Sequence, residues 1–545
     1  MRLRFMVLLS LASVIVVPAS LEQTTHGRRP PARLVASFDG LGVGFTGPQG
    51  TSVTRNPSDN SLAVGRDHIV QTVNSRMAIF TKKGRRFDTT GRTLYGSVPT
   101  NTVFKGFGGP CELRNSGDAV VRYDQLADRW LIVLPIFSRS ARRATEPPTP
   151  RHGEPATRSM IGHEGQPGAA APLFVPPPVD AGTSPAVPPA TGVRTPPSAP
   201  LDSGSYAMCY AISSGPDPMG SYYRYEFVRP LFPDYPRPAV WPDGYYVPSS
   251  TSDDFIQKHA CVVDRARMLK GESATEQCLV IDGVNFLNNV DLDGQQLPPA
   301  GAPNLMLAAG GAQLNKVMQD DGLYVWAFHV NWDDPSRTRL TGPTKITVAP
   351  YHYLCDGQLT SCVPQPGTDR KLDAQGDKLM ARVVYRRIGN RESIVAVHSV
   401  NSASGGGGVR WYELRVNARD TARTVSLFQQ GTYAPDGFYR WMGSPVMDAR
   451  GNIGIGYSFG GTPHFAGQRF AGRLASDPPG VLTLREQVLV NGESAQQNTL
   501  RWQDYTQTAV DPVDDCTIWY VGDYLKLGAP SYSTKIGAFR MPGCR

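Results

Sequence analysis

Four aspartates, two arginines and two tryptophans stand at matching places along this chain: Asp59, Asp118, Asp234, Asp504, Arg440, Arg501, Trp441 and Trp502. Each opens a segment that reads as a β-hairpin. Brought together, carboxylates, guanidiniums and indoles suit recognition of a sugar: the rings stack on it while the charged groups bond its hydroxyls or a carboxylate. Paired carboxylates at a suitable separation could also carry out glycoside hydrolysis. The competing reading is mechanical, because residues that recur with a structural repeat commonly brace neighbouring repeats. The recurrence itself is plain. Asp234 to Pro242 and Asp504 to Pro512 share Asp-Tyr-x-x-x-Ala-Val-x-Pro, and Arg440-Trp441 is repeated as Arg501-Trp502.

Other patterns are weaker. Asn289, Asp291 and Asp293, followed by Gly294, resemble the opening of a calcium loop, with oxygen ligands at alternate positions and a glycine for the turn. Ala300 stands where the bidentate acid belongs, so a polar Asx turn competes with the calcium site. Asp511, Asp514 and Asp515 read as a solvated hairpin turn beside Pro512. His68, His329, His352 and His398 show no metal spacing. Gly42 to Gly47 fits G-x-G-x-x-G, but Pro48 follows where a helix should open. Gly456 to Gly460 fits the nucleophile-elbow pattern inside a hairpin, without the strand-to-helix turn that motif needs. No cofactor is expected beyond a possible calcium ion.

The elements that must position these residues are strands. Alternating apolar and polar residues mark hairpins over Ser58 to Val73, turning at Gly65 to Asp67, and over Gly117 to Phe137, turning at Gln125 to Asp128. Further units start at Asp234, around Asn304 with Leu323 to Phe328 as inner strand, at Gly376 with a turn over Gly389-Asn390, at Tyr439 and at Leu500. Outside one Pro-rich stretch the starts recur roughly every 60 to 70 residues, which suits one four-stranded blade with long connections. The pattern predicts an all-β chain forming a single β-propeller of seven blades, with six or eight as the alternatives and nested sandwiches as the other architecture. Leu34 to Phe38 and Lys535 to Phe539 are suited to share the blade that closes the ring.

The chain has 545 residues, 40% hydrophobic and 19% charged, with 56 Gly, 47 Pro and a formal net charge of +8. Residues 1–20 read as an export signal: Arg2 and Arg4, an apolar run from Phe5 to Val17, then small residues for cleavage. The propeller is expected over 21–545. Residues 145–200, crowded with Pro, Ala, Gly, Ser and Thr, read as a disordered insertion within it, an interdomain linker being the alternative. Eight cysteines in an exported chain predict disulfides. Local spacing pairs Cys355 with Cys362, Cys261 with Cys278 and Cys516 with Cys544, leaving Cys111 with Cys209. The modest basic balance favours an anionic partner, such as acidic polysaccharide, against the alternative of an ordinary solvated surface. Its cations are scattered, so nucleic acid is not expected. Nor is a membrane span, and a monomer is.

The segments Arg501 to Tyr505 and Val510 to Tyr520, with Gly108 to Glu112, Tyr123 to Trp130, Gly220 to Tyr223, Phe232 to Tyr235 and Gln430 to Asp436, resemble a family of secreted bacterial β-propeller proteins of unassigned activity. These are similar in general shape to sialidase-type propellers. The resemblance spans most of the chain outside the Pro-rich stretch. It departs at Gln503, where relatives usually carry Gly. It implies a propeller and export, to the extracellular space or the periplasm, and supplies no catalytic residue. The chain lacks the S-x-D-x-G-x-T-W boxes of sialidases. The leading expectation is therefore a carbohydrate-binding or surface-binding module. A glycoside hydrolase or polysaccharide lyase is the alternative, and an extracellular scaffold a further one.

Overall fold

The computed structural model describes residues 21–138, 163–165, 168–172, 206–229, 232–249, 257–314, 317–357, 360–380, 382–417 and 423–544. Residues 1–20, read as an export signal, and most of the Pro-rich stretch over 145–200 lie outside them. Two pieces of that stretch are described. His163–Gly165 pairs with Ala274–Ile281, and Gly168–Pro172 pairs with Ser221–Arg229. Both add a strand to an outer sheet edge. Backbone pairing on an open edge needs no apolar side chains, so a Pro- and Ala-rich segment can supply it.

The chain is an all-β propeller. Among the described residues its strands sort into seven antiparallel four-stranded units, two of them widened by the edge strands from the Pro-rich stretch and the last completed by a strand from the other end of the chain. The innermost strands are β1 (Ser61–Val64), β2 (Val120–Asp124), β3 (Ala239–Trp241), β4 (Asn288–Asp293), β5 (Val383–Ile388), β6 (Tyr439–Met447) and β7 (Gln507–Val510). Each abuts the next, and β7 abuts β1. Between β4 and β5 the approach becomes a parallel ladder, from Val290↔Val383 to Asp293↔Arg386. The first unit continues through His68–Val73, Arg76–Thr81 and Thr93–Pro99. The seventh continues through Thr517–Tyr524 and Ser533–Arg540, and its outermost strand is Arg33–Gly42, from the other end of the chain. The expected closure by Leu34 to Phe38 against Lys535 to Phe539 is realised in register, with Leu34 opposite Phe539 and Phe38 opposite Ile536.

Packing follows from this arrangement. A strand with neighbouring units on both faces is apolar throughout, as in Arg129–Ile136 and Tyr206–Ser213, where nearly every residue is buried. Separate apolar clusters lie between successive units, including one joining Leu62, Ile69 and Phe80 of the first unit to Trp519, Val521 and Ile536 of the seventh. Cys111–Cys209, Cys261–Cys278, Cys355–Cys362 and Cys516–Cys544 are all disulfide-bonded, as expected. Four disulfides suit an oxidising compartment. Among the described residues no helix is long and apolar enough to cross a membrane.

The fourth unit corrects the sequence reading. Its inner strand is β4, and Gly322–His329 stands two strands further out. Asn289, Asp291 and Asp293 therefore lie on a strand, in neither a calcium loop nor an Asx turn. The oxygens at alternate positions express the two-residue period of that strand.

Candidate functional site

The chain reaches most of the inner strands through a residue in the left-handed backbone region: Asp59 (φ 48°), Asp118 (53°), Tyr235 (50°), Gln375 (43°) and Asp504 (63°). The conformation is uncommon outside glycine, and Asp tolerates it better than most. It turns each side chain toward the propeller axis, so these residues meet at one mouth of the ring. Tyr235 Oη donates to Asp504 Oδ2 at 2.8 Å and lies against the Gln375 carbonyl, while the Gln375 amide donates to Asp504 Oδ1. Arg501 binds the same carboxylate through Nε (3.2 Å) and Nη2, and its Nε lies 3.4 Å from Asp373. Tyr505 Oη donates to Asp118 Oδ2 at 2.8 Å, and the Asn74 amide to Asp59 Oδ2 at 2.6 Å.

Aromatic rings hold the cations of this mouth. The Arg237 guanidinium sits 4.0 Å from the Tyr505 ring centre, 5.0 Å from Tyr235 and 5.3 Å from Phe286. Lys378 Nζ lies 5.5 Å from Tyr235 and 5.6 Å from Phe286, with Asp377 at 3.2 Å. Both cations are buried, where ring quadrupoles offset part of the lost hydration. Burial, and then the neighbouring Asp118 carboxylate, raises the Asp59 carboxyl well above the usual range. Burial also pushes Asp373 up to about 6.

Deeper along the axis the channel is filled. Arg382 donates to Asp291 Oδ2 through Nε and to Asp293 Oδ1 through Nη2, both at 2.7 Å. Arg122 lies 3.3 Å from Asp291 and donates to Gln507 Oε1 at 2.6 Å, which Ser61 also reaches at 2.8 Å. The cavity left beside them is about 30 Å³, enough for one water. The carboxylates read as calcium ligands are thus neutralised by guanidiniums, and the Asn289 amide donates to the Tyr246 carbonyl at 3.1 Å.

Of the eight residues singled out for ligand binding, Asp59, Asp118, Arg501 and Asp504 gather at the mouth, and half-buried Asp234 bears on its two tyrosines. The other three lie elsewhere. Trp441 and Trp502 are fully buried with ring centres 6.1 Å apart, and Trp502 Nε1 donates to Ser458 Oγ at 2.9 Å. Arg440 is buried between Asp436 and Glu486 at 2.7 and 2.8 Å. Arg440 and Trp441 lie on β6 and Trp502 in the segment that leads into β7, and the two indoles pack in one apolar cluster with residues of the fifth and sixth units. Tyr235, Tyr505, Arg237, Gln375 and Lys378 were missed. The repeated Asp-Tyr pair carried the signal: its two tyrosines meet at 5.1 Å, edge to face.

No family model matches the chain, and no curated protein matches it in sequence. Among solved structures it is similar to an ulvan-degrading polysaccharide lyase (9% identity, covering 92% of this chain and 95% of that one, TM-score 0.38). It is also similar to the extracellular domains 1-2 of Drosophila Semaphorin 1b (7%, 94% and 88%, 0.35) and to the N10 neuraminidase-like protein of a bat influenza A virus from Guatemala (7%, 75% and 93%, 0.30).

Proposed function

We propose that this is an exported, monomeric seven-bladed propeller of the secreted bacterial kind, working as a binding module that contacts carbohydrate or another surface polymer through one face. One observation carries the reading: the carboxylates of the mouth are engaged with the protein's own groups. Asp504 accepts from Tyr235, Gln375 and Arg501, and it and Asp59 are only 3% and 1% exposed. Glycoside hydrolysis needs an acid and a base or nucleophile flanking the scissile bond, roughly 5 to 9 Å apart and open to the sugar. The axial Arg–Asp pairs weigh against a substrate threading the ring.

The enzymatic reading, a hydrolase or lyase, rests on a single pair. Burial, and then the neighbouring Asp118 carboxylate, raise the Asp59 carboxyl well above its usual range, the direction that the acid of such catalysis requires. Incubating the protein with a panel of insoluble polysaccharides separates the two. Depletion of protein from the supernatant without released sugar is the expected result. Soluble oligosaccharides absent from a boiled control would overturn the binding reading and make Asp59 and Asp118 the first residues to substitute. Retention of all the protein in the supernatant would remove carbohydrate and favour the scaffold reading.

A further inference from the structure

On the face opposite the mouth, a cleft of about 470 Å³ opens between the first and seventh units. Its walls are the turns that follow β1 and β7, the loop after Arg76–Thr81 and the ends of the two closing strands. This volume lies within the range of sites that hold small molecules or a few sugar residues. At its floor Trp519 Nε1 donates to Asp511 Oδ2 at 3.1 Å, and Lys82 Nζ donates to Asp511 Oδ1 at 2.6 Å. Lys82 is 4% exposed, and that bond is its ammonium's one hydrogen bond to a described residue, leaving two N–H donors for whatever fills the cleft.

Charge around the cleft is lopsided in its availability. Asp511 accepts from Lys82, Trp519 and the Val513 amide. Asp514 accepts from the Cys516 and Thr517 amides, the Thr517 hydroxyl and Arg540, and those donors hold it below the usual carboxylate range against the opposing effect of burial. Asp67 is the remaining acid. Beside it are Lys83 and Arg85, both exposed and without an ion-pair partner among the described residues, the Lys82 amide donating to the Asp67 carbonyl at 2.9 Å. Arg66 stands at the rim, 63% exposed, 3.3 Å from Asp128. Val513 and Val35, 66% and 40% exposed, add apolar surface for a ring's C–H face.

We propose that this cleft binds an acidic saccharide, its carboxylate or sulfate group directed to Lys82, Lys83 and Arg85 and its ring lying against the valines. The proposal rests on the binding-module reading and names its site and ligand class. Guanidinium and ammonium donors form short, charge-assisted bonds to such oxygens, and a site that uses them weakens as salt rises. Asp511, itself fixed by Trp519 and the Val513 amide, holds the buried ammonium in place rather than competing for the ligand.

Binding to polygalacturonate, dextran sulfate and neutral dextran tests it, on the full protein and on a Lys83→Glu, Arg85→Glu double variant. Both substitutions lie on the exposed loop and leave the core untouched, which circular dichroism would verify. Binding to an acidic polymer, absent for neutral dextran and weakened about tenfold or more in the variant, is the expected outcome. A preference for one acidic polymer tells carboxylate from sulfate. Acidic-polymer binding that the variant leaves unchanged would overturn the cleft while the binding-module reading stood. Binding to neutral dextran alone would overturn the ligand class. Equal affinity for inorganic polyphosphate would reduce the cleft to unspecific charge attraction and also overturn it. Failure to bind any polysaccharide would take both readings down.

Discussion

Removing the Asp504 carboxylate leaves Tyr235, Gln375 and Arg501 without their common acceptor, in a place water reaches poorly. Arg501 keeps Asp373 at 3.4 Å, so the loss falls on the buried Tyr235 and Gln375 donors, and Asp504→Ala should lower the unfolding free energy by about 1 to 3 kcal/mol, measured by urea denaturation. Substituting half-buried Asp234 should cost far less. A second residue-scale effect comes from Asp523, which burial pushes up to about 7 from 3.8 while Ser58 and Asn60 oppose the change. A carboxyl protonated in the folded chain and ionised in the unfolded one means that the native state binds more protons. Its stabilising effect is whole below about pH 4 and is lost as pH rises through about 7, at about 1.4 kcal/mol per pH unit and a total on the order of 4 kcal/mol at most. Asp523→Asn carries no such proton. The melting temperature of the variant relative to the parent should therefore climb between pH 4 and 8, and a flat difference would show that Asp523 ionises normally.

At the scale of elements, the hairpins were legible wherever a turn separated two apolar runs. The turns at Gly65 to Asp67, Gln125 to Asp128 and Gly389-Asn390 fall between paired strands. The fourth unit was misread for a physical reason. Asn288–Asp293 alternates Val290 and Leu292, which enter the core, with Asn289, Asp291 and Asp293, which face an axis occupied by Arg122 and Arg382. Its partners come from distant parts of the chain, so in sequence the strand is as polar as a loop. Trp441 and Trp502 failed in the opposite sense, since nothing local distinguishes an indole facing a ligand from one packed between sheets. The four disulfides were legible from spacing, and their contributions should follow loop length. Cys111–Cys209 closes a separation of 98 residues, tying the helix Gly109–Leu113 to Tyr206–Ser213 across the Pro-rich stretch, whereas Cys355–Cys362 closes 7. Replacing each pair by serine should cost about 5 and about 2.5 kcal/mol respectively, on the chain-entropy account. Thermal melts of the two double variants would check the order, and the reverse order would show that local packing, not loop closure, governs them.

For the whole molecule, the closing strand decides whether seven units act as one body. Units that touch only their neighbours behave as a linear array unless the last is joined to the first. Here Arg33–Gly42 supplies the outer strand of the seventh unit, and it is the stretch of chain that leads directly into the first. The apolar cluster between those units holds Leu41 beside Phe80 and Trp519, so strand and interface stand together. Residues before the strand do something lesser. Glu22–Gln23 pairs along the outer edge of the fifth unit, and Arg29 reaches Asp477 at 2.9 Å, contacts at the rim of the ring. Two truncations separate these roles. A chain beginning at residue 33 should keep a single cooperative unfolding transition at a lowered temperature. A chain beginning at residue 43 exposes the edge of Ser533–Arg540, and it should unfold in a broadened or multiple transition and self-associate through the open strand. Calorimetry with size-exclusion chromatography reads both properties. If the shorter chain remained monomeric and melted as sharply as the longer one, the β7–β1 contact and the cluster behind it would suffice to close the ring, and the shared strand would be only a cover for its edge.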